Sequence, residues 1–328
     1  MSGCPHSMNC DRRPATGTPW ARVLTGRRFV VLDGGLASEL ERRGGAIDGD
    51  PLWSARLLLD NPELMEDIHL AYGLAGADIL TTATYQASLP GLGAAGLSVS
   101  ASCAVLAKAV QLAQQAGTRC VQSCDVKPPL VAASMGPYGA HLADGSEYTG
   151  AYTQDKAALR AFHEERMAVL AEAGANILAC ESIPSLAEGE VLLDLLGTYP
   201  HLPCWISFTC RDALHVSHGE PVADCLAMAA DFPHVLTGVN CLHPHLVGCL
   251  MTSVRDTDSA SVQVVYANRG DTWISGRRSW DTSTGLDDDA YTACAMDWAQ
   301  RGTLLIGGCC RTTPSTTARL AALSAALA

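Results

Sequence analysis

Eight short apolar runs recur along the chain, each followed by a longer stretch with helical spacing, and this alternation constrains the fold more than any other feature. The runs occupy 29–35 (FVVLDGG), 77–85 (ADILTTATY), 130–136 (LVAASMG), 175–182 (ANILACES), 204–210 (CWISFTC), 235–241 (VLTGVNC), 261–268 (SVQVVYAN) and 303–309 (TLLIGGC). Between them, segments such as 61–76 (NPELMEDIHLAYGLAG) and 155–174 (DKAALRAFHEERMAVLAEAG) repeat apolar residues every three or four positions and end on glycine, the pattern of amphipathic helices with left-handed caps. Eight strand–helix units in 328 residues, with no break in composition, predict a single α/β domain, a (β/α)8 TIM barrel, over residues 29–328. An open doubly wound sheet is the alternative that the pattern leaves. Residues 1–28 are rich in Gly, Pro, Ser and Arg and read as a flexible extension.

Composition narrows the partners. Hydrophobic residues make up 48% of the chain and charged ones 17%, so a large buried core is expected. With 22 basic against 34 acidic side chains the net charge is −12, which argues against nucleic acid and anionic lipid and favours cationic or zwitterionic small molecules. No apolar run reaches the roughly 18 residues of a membrane span, and the N-terminus lacks the apolar core of a secretory signal. The 14 cysteines are therefore expected to be reduced thiols of a cytoplasmic protein.

In a barrel the C-terminal strand ends converge on one mouth, and here those ends are polar. Asp33 closes the first run, Glu181 the fourth, Asn240 and Cys241 the sixth, and Cys309 with Cys310 the eighth. Three thiols brought to one point make a metal site. Soft sulfur ligands favour zinc, and three protein ligands instead of four leave a position for substrate. Gly307 and Gly308 are read as allowing the turns that aim the last two cysteines. Cys180, Cys204, Cys210, Cys225 and Cys294 lie inside apolar runs and read as core.

The chain resembles the homocysteine S-methyltransferase family of the type that uses S-methylmethionine or S-adenosylmethionine. The motifs that carry the resemblance are 32–44 (LDGGLASELERRG), 50–88 (beginning DPLWSARLLLDNPELM), 134–152 (SMGPYGAHLADGSEYTGAY), 180–185 (CESIPS), 238–241 (GVNC) and 306–314 (IGGCCRTTP). The resemblance implies a (β/α)8 barrel with Zn2+ on Cys241, Cys309 and Cys310, and methylation of homocysteine to methionine by a sulfonium donor. It also implies that Asp33 and Glu181 hold the homocysteine ammonium and that the backbone at Gly34 and Gly35 holds its carboxylate. Asn240 is read as steadying the loop beside Cys241. Trp53, Tyr85 and Tyr138 could offer aromatic faces to the donor. Betaine-using relatives carry a tyrosine after the acid of the fourth-strand motif, where this chain has Ser182, and they carry a long C-terminal extension that it lacks. A sulfonium donor, and a monomer or weak homo-oligomer, are therefore expected.

Zinc suits this chemistry for an independent reason. A free thiol with a pKa near 8.5 is mostly protonated at neutral pH, whereas methyl transfer needs the thiolate. Two other functions remain open from sequence: a phosphate-binding barrel enzyme using the eighth-strand loop, and a non-enzymatic redox or zinc-storage barrel. Adjacent thiolates would repel phosphate, and metal stoichiometry separates the storage protein from the enzyme. The match to G-x-G-x-x-G at 91–96 (GLGAAG) follows Pro90 instead of a strand and lacks the acid about 20 residues on that a dinucleotide site needs.

Overall fold

The structure, a computed structural model, describes residues 14–45, 52, 56–124, 127–254, 260–274 and 279–328. Its strands are β1 (Val30–Val31), β2 (Ile79–Thr81), β3 (Leu130–Met135), β4 (Ile177–Ile183), β5 (Cys204–Phe208), β6 (Val235–Asn240), β7 (Val264–Ala267), β8 (Thr272–Ile274), β9 (Ser279–Asp281) and β10 (Leu305–Gly308). Eight of them form one parallel sheet in the order β1-β10-β7-β6-β5-β4-β3-β2. The edges meet: Leu32 bridges Ile79, and the Asp78 N–H donates to the Val31 carbonyl at 2.8 Å. The sheet is thus a closed (β/α)8 barrel, and all eight sequence runs supply its staves. The remaining pair, β8 and β9, is an antiparallel hairpin after β7 that the sequence reading did not anticipate.

Alternation along the strands builds two cores. Val30, Leu32, Ile79, Ala132, Ile177, Ala179, Trp205, Leu236, Val264, Tyr266 and Leu305 fill the barrel, while their neighbours Val31, Val131, Leu178, Cys180, Cys204, Val265 and Ile306 face the helices. Cys180, Cys204 and Cys225 are core residues, with Cys210 and Cys294 packed against them. The helices start where their caps dictate. Asn61 accepts from the Leu64 N–H ahead of the helix Pro62–Leu74, and Asp155 accepts from the Ala158 N–H ahead of Lys156–Glu172. Both are followed by a left-handed glycine, Gly76 or Gly174.

Residues 14–28 depart from their reading as part of a flexible extension. They contain a short helix, Pro19–Val23, whose Trp20 is fully buried among the barrel-filling side chains. The Trp20 indole N–H donates to the carbonyls of Cys204 and His234, at 3.2 and 2.9 Å, at the N-terminal ends of β5 and β6. A tryptophan sealing the bottom of the barrel is an apolar anchor that a window rich in Gly, Pro and Arg conceals. Trp53 lies outside the described residues. Among the described residues no helix is long and apolar enough to cross a membrane.

Candidate active site

The C-terminal mouth opens into a cavity of about 130 Å³ lined by Asp33, Gly34, Gly35, Tyr85, Glu181, Asn240, Cys241, Cys309 and Cys310, together with Thr81, Ser134, Tyr148, Trp205 and Tyr266. Nine residues named from sequence therefore share one wall. Tyr138 is not among them. Its ring packs against Phe162 and Tyr152, with centroids 5.0 and 5.6 Å away, at the start of the short helix Tyr138–Leu142 that follows β3. Its closeness to the site is one of sequence, not of space.

The sulfurs of Cys241, Cys309 and Cys310 all lie within 4.8 Å of one another, with 3.7 Å between Cys241 and Cys310. Each is a free cysteine. Sulfurs sharing one tetrahedral zinc at bonds of about 2.3 Å stand about 3.8 Å apart, so the spacing suits a metal and is far too long for a disulfide. Charge points the same way. Three thiolates this close repel one another; the Cys241 thiol is held well below the ordinary range by hydrogen bonds from Cys309 and Cys310, whose own thiols are pushed up. A cation at their centre removes that conflict.

Backbone geometry sets the three thiols in place. Cys241 has φ of +57° and Arg311 of +69°, both left-handed and both non-glycine. The Cys241 N–H donates to the Tyr266 carbonyl, the Cys309 N–H to Ala267, and the Cys310 N–H to the Asn268 side chain at 3.2 Å, so β7 fixes both cysteine segments. Gly307 and Gly308 serve close approach, not the turn expected of them. A Cβ on Gly307 would meet Leu32 Cβ at 2.5 Å, and one on Gly308 would meet Thr312 Oγ1 at 2.2 Å. The turn falls instead at Arg311.

Asp33 and Glu181 are buried acids, and among the described residues no cationic side chain lines the cavity with them. Asp33 accepts from the Thr81 N–H at 2.7 Å and from the Thr81 hydroxyl, and Glu181 accepts from the Ser134 hydroxyl. Burial outweighs these bonds and pushes each carboxyl up to about 7. The Glu181 charge raises Asp33 further, and the Cys241 thiolate raises Glu181. A ligand ammonium would reverse both shifts. The β4 strand delivers Glu181 inward in register with Ile177 and Ala179, then breaks: its pairing with β5 shifts between Cys180 and Ile183, and Ser182 takes φ of +61°. Asn240 holds that break. Its Oδ1 accepts from the Ser182 N–H at 2.9 Å and from the Ser207 hydroxyl at 2.8 Å, and its Nδ2 donates to Ser182 Oγ at 2.8 Å. It therefore braces the Glu181 strand as well as standing beside Cys241.

Of the two glycine N–H groups read as a carboxylate seat, that of Gly35 already donates to Thr312 Oγ1 at 3.1 Å. Sequence reasoning missed Tyr148, whose hydroxyl is 3.5 Å from Cys241 Sγ, and the barrel floor of Trp205 and Tyr266, joined at 3.1 Å. An aromatic at the second position of β5 and one at the third of β7 look like ordinary core until the barrel closes.

Fold and site together define a (β/α)8 barrel with a three-cysteine cluster that could hold a metal ion, set in the C-terminal mouth beside two buried acids. The chain belongs to the homocysteine S-methyltransferase family, whose model matches residues 30–324. It is 40% identical to the homocysteine S-methyltransferase of Escherichia coli (strain K12) over 308 residues, covering 93% of this chain and 98% of that one. It is likewise 40% identical to a selenocysteine Se-methyltransferase of Brassica oleracea var. italica over 301 residues, 88% of this chain and 86% of that protein. The metallated form of the homocysteine methyltransferase MmuM from Escherichia coli superposes with a TM-score of 0.82 at 39% identity, over 94% of this chain and all of that one.

Proposed function

We propose that this protein is a homocysteine S-methyltransferase that holds one Zn2+ on Cys241, Cys309 and Cys310 and moves a methyl group from a sulfonium donor, S-methylmethionine or S-adenosylmethionine, to homocysteine. The observation that carries this reading is the convergence of three thiols and two uncompensated acids on one cavity. Bound zinc supplies the positive charge that keeps the homocysteine sulfur ionised at neutral pH.

The chain's own residues do the rest. Asp33 and Glu181 accept the homocysteine ammonium, held ready by Thr81 and Ser134, while the Gly34 N–H is left to the carboxylate. Trp205, Leu32 and Tyr266 close the floor and exclude water beneath the ligand. The homocysteine sulfur attacks the donor's methyl carbon in line. Its S–C bond forms as the donor's C–S bond breaks, and that bonding pair stays on the donor sulfur, which leaves as a neutral thioether. No enzyme group is alkylated; the barrel acts by alignment. Ser182 in place of a tyrosine supports a sulfonium over betaine.

The test is methionine formation by the zinc-loaded protein with S-methylmethionine, S-adenosylmethionine and betaine offered separately, beside a zinc count. The proposal expects turnover with at least one sulfonium, none with betaine, and about one zinc per chain. Full activity without zinc would overturn it, and several zinc ions per chain without turnover would favour the storage reading.

A further inference from the structure

A third acid, Glu147, lies near the cysteine cluster and has no role in holding homocysteine. Glu147 sits in the one-turn 3-10 helix Ser146–Tyr148 of the loop after β3. Its Oε2 is buried and has no hydrogen-bond partner among the described residues, and the same is true of the Tyr85 hydroxyl. Glu147 is close enough to both Tyr85 and Cys241 for its charge to be felt by each. A buried carboxylate oxygen left bare is costly unless something positive arrives to meet it.

The turn that carries Glu147 packs against its neighbours. The Thr209 hydroxyl donates to the Glu147 carbonyl at 3.4 Å, and a Cβ on Gly139 would meet the Glu147 backbone nitrogen at 2.5 Å, so the two segments touch. Farther along the same loop, the Tyr152 hydroxyl donates to Glu188, which is buried and pairs with His163 at 2.8 Å; Arg166 in turn donates to the Gly136 carbonyl at 2.7 Å. Both ends of the loop are thus pinned to the helices. Next in sequence, Tyr148 lines the cavity, touches Cys241 Sγ through its hydroxyl, and remains 47% exposed. It forms the outer rim of the cavity, whereas Asp33 and Glu181 lie inside. A ligand entering the mouth above a filled homocysteine seat meets this rim.

We propose that Glu147 and Tyr148 seat the sulfonium centre of the methyl donor, Glu147 supplying the counter-charge and Tyr148, with Tyr85, the aromatic wall. The inference rests on the methyltransferase reading and extends it to the second substrate. It accounts for release as well as capture. Once the methyl group has moved, the donor sulfur is a neutral thioether and its attraction to Glu147 is gone.

The test is the isosteric variant Glu147→Gln in the zinc-loaded full chain. The donor KM should rise about tenfold while the homocysteine KM stays within about twofold. Calorimetry with the homocysteine seat filled by saturating methionine should show S-methylmethionine binding weakened about tenfold, and binding of methionine itself, which lacks the charge, unchanged within about twofold. The substrate-free variant should melt no lower than wild type, since a bare buried carboxylate has become an amide. Tyr148→Leu, which keeps bulk and removes the ring, should raise the donor KM in the same selective way, and it carries the test should glutamine disturb the turn. Equal weakening of methionine and S-methylmethionine, or no weakening of either, would overturn the assignment. A wild-type protein inactive with every sulfonium would instead overturn the functional reading beneath it.

Discussion

Methionine binding should release protons even though methionine has no thiol to ionise. Asp33 and Glu181 are pushed up to about 7 by burial, so at pH 7 the pair holds about one proton between them. An ammonium placed against both carboxyls favours their ionised forms and expels that proton. The count should be about one at pH 7, approach two at pH 5, and vanish near pH 9, where the pair is already ionised. Homocysteine should release about one more than methionine at neutral pH, from its thiol. Proton release equals the slope of log affinity against pH, so methionine affinity should climb steeply, by up to about a hundredfold per unit, between pH 5 and 6. The sign for stability is the opposite. With folded values raised above unfolded ones, the pair's contribution to the substrate-free protein is fully present below about pH 4 and lost as pH rises to about 7, by about 1.4 kcal/mol per unit for each group. Calorimetry in buffers of different ionisation enthalpy measures the count, and Asp33→Asn should remove about half a proton at pH 7. Methionine binding that releases nothing at pH 6 to 7, or an Asp33→Asn protein that releases as much as wild type, would refute the assignment of these acids to the ammonium.

Other outcomes follow from the packing. His69 is buried with neither ring nitrogen hydrogen-bonded among the described residues, and burial lowers it to about 4. The unfolded chain thus takes up a proton below about pH 6.5 that the folded one refuses, and stability should fall by up to about 3 kcal/mol between pH 6.5 and 4. His69→Leu should abolish that part of the acid sensitivity in denaturant titrations; an unchanged pH profile would contradict it. Trp20→Ala should lower stability by about 3–5 kcal/mol through loss of the barrel's plug while leaving the zinc content intact, and an unchanged unfolding midpoint would contradict the anchoring role. Tyr138→Leu, which removes the ring, should leave both substrate KM values within about twofold of wild type, because the Tyr138 ring faces Phe162 and Tyr152, not the cavity; a selective rise in the donor KM would reverse that placement.

The barrel was legible because each strand is short, apolar and spaced by a helix, and because closure of such a sheet carries strand ends to a common mouth. That is how Asp33, Glu181, Asn240, Cys241, Cys309 and Cys310 could be grouped across more than 270 positions of sequence. Features set by tertiary approach were not legible. The glycines at 307 and 308 signal a special backbone in either case, and only the position of Leu32 and Thr312 shows that space, not φ, is what they supply. Tyr138 and Tyr148 lie in one motif ten residues apart, and nothing in the string says that the first packs on Phe162 and Tyr152 while the turn at Ser146–Tyr148 brings the second to Cys241. Trp20 sits in a window whose composition argues for disorder, and a single large apolar anchor is too little to shift a compositional average.

The central claim is that the three cysteines hold zinc in an open site that takes the homocysteine sulfur. Zinc X-ray absorption on the loaded protein, before and after homocysteine, tests it most directly. The shell should hold three sulfurs and one lighter atom and become four sulfurs at about 2.3 Å when homocysteine saturates the site. A zinc shell already complete in protein sulfur, or one that does not change at saturating homocysteine, would make the metal a clip between β6 and β10 and contradict the mechanism.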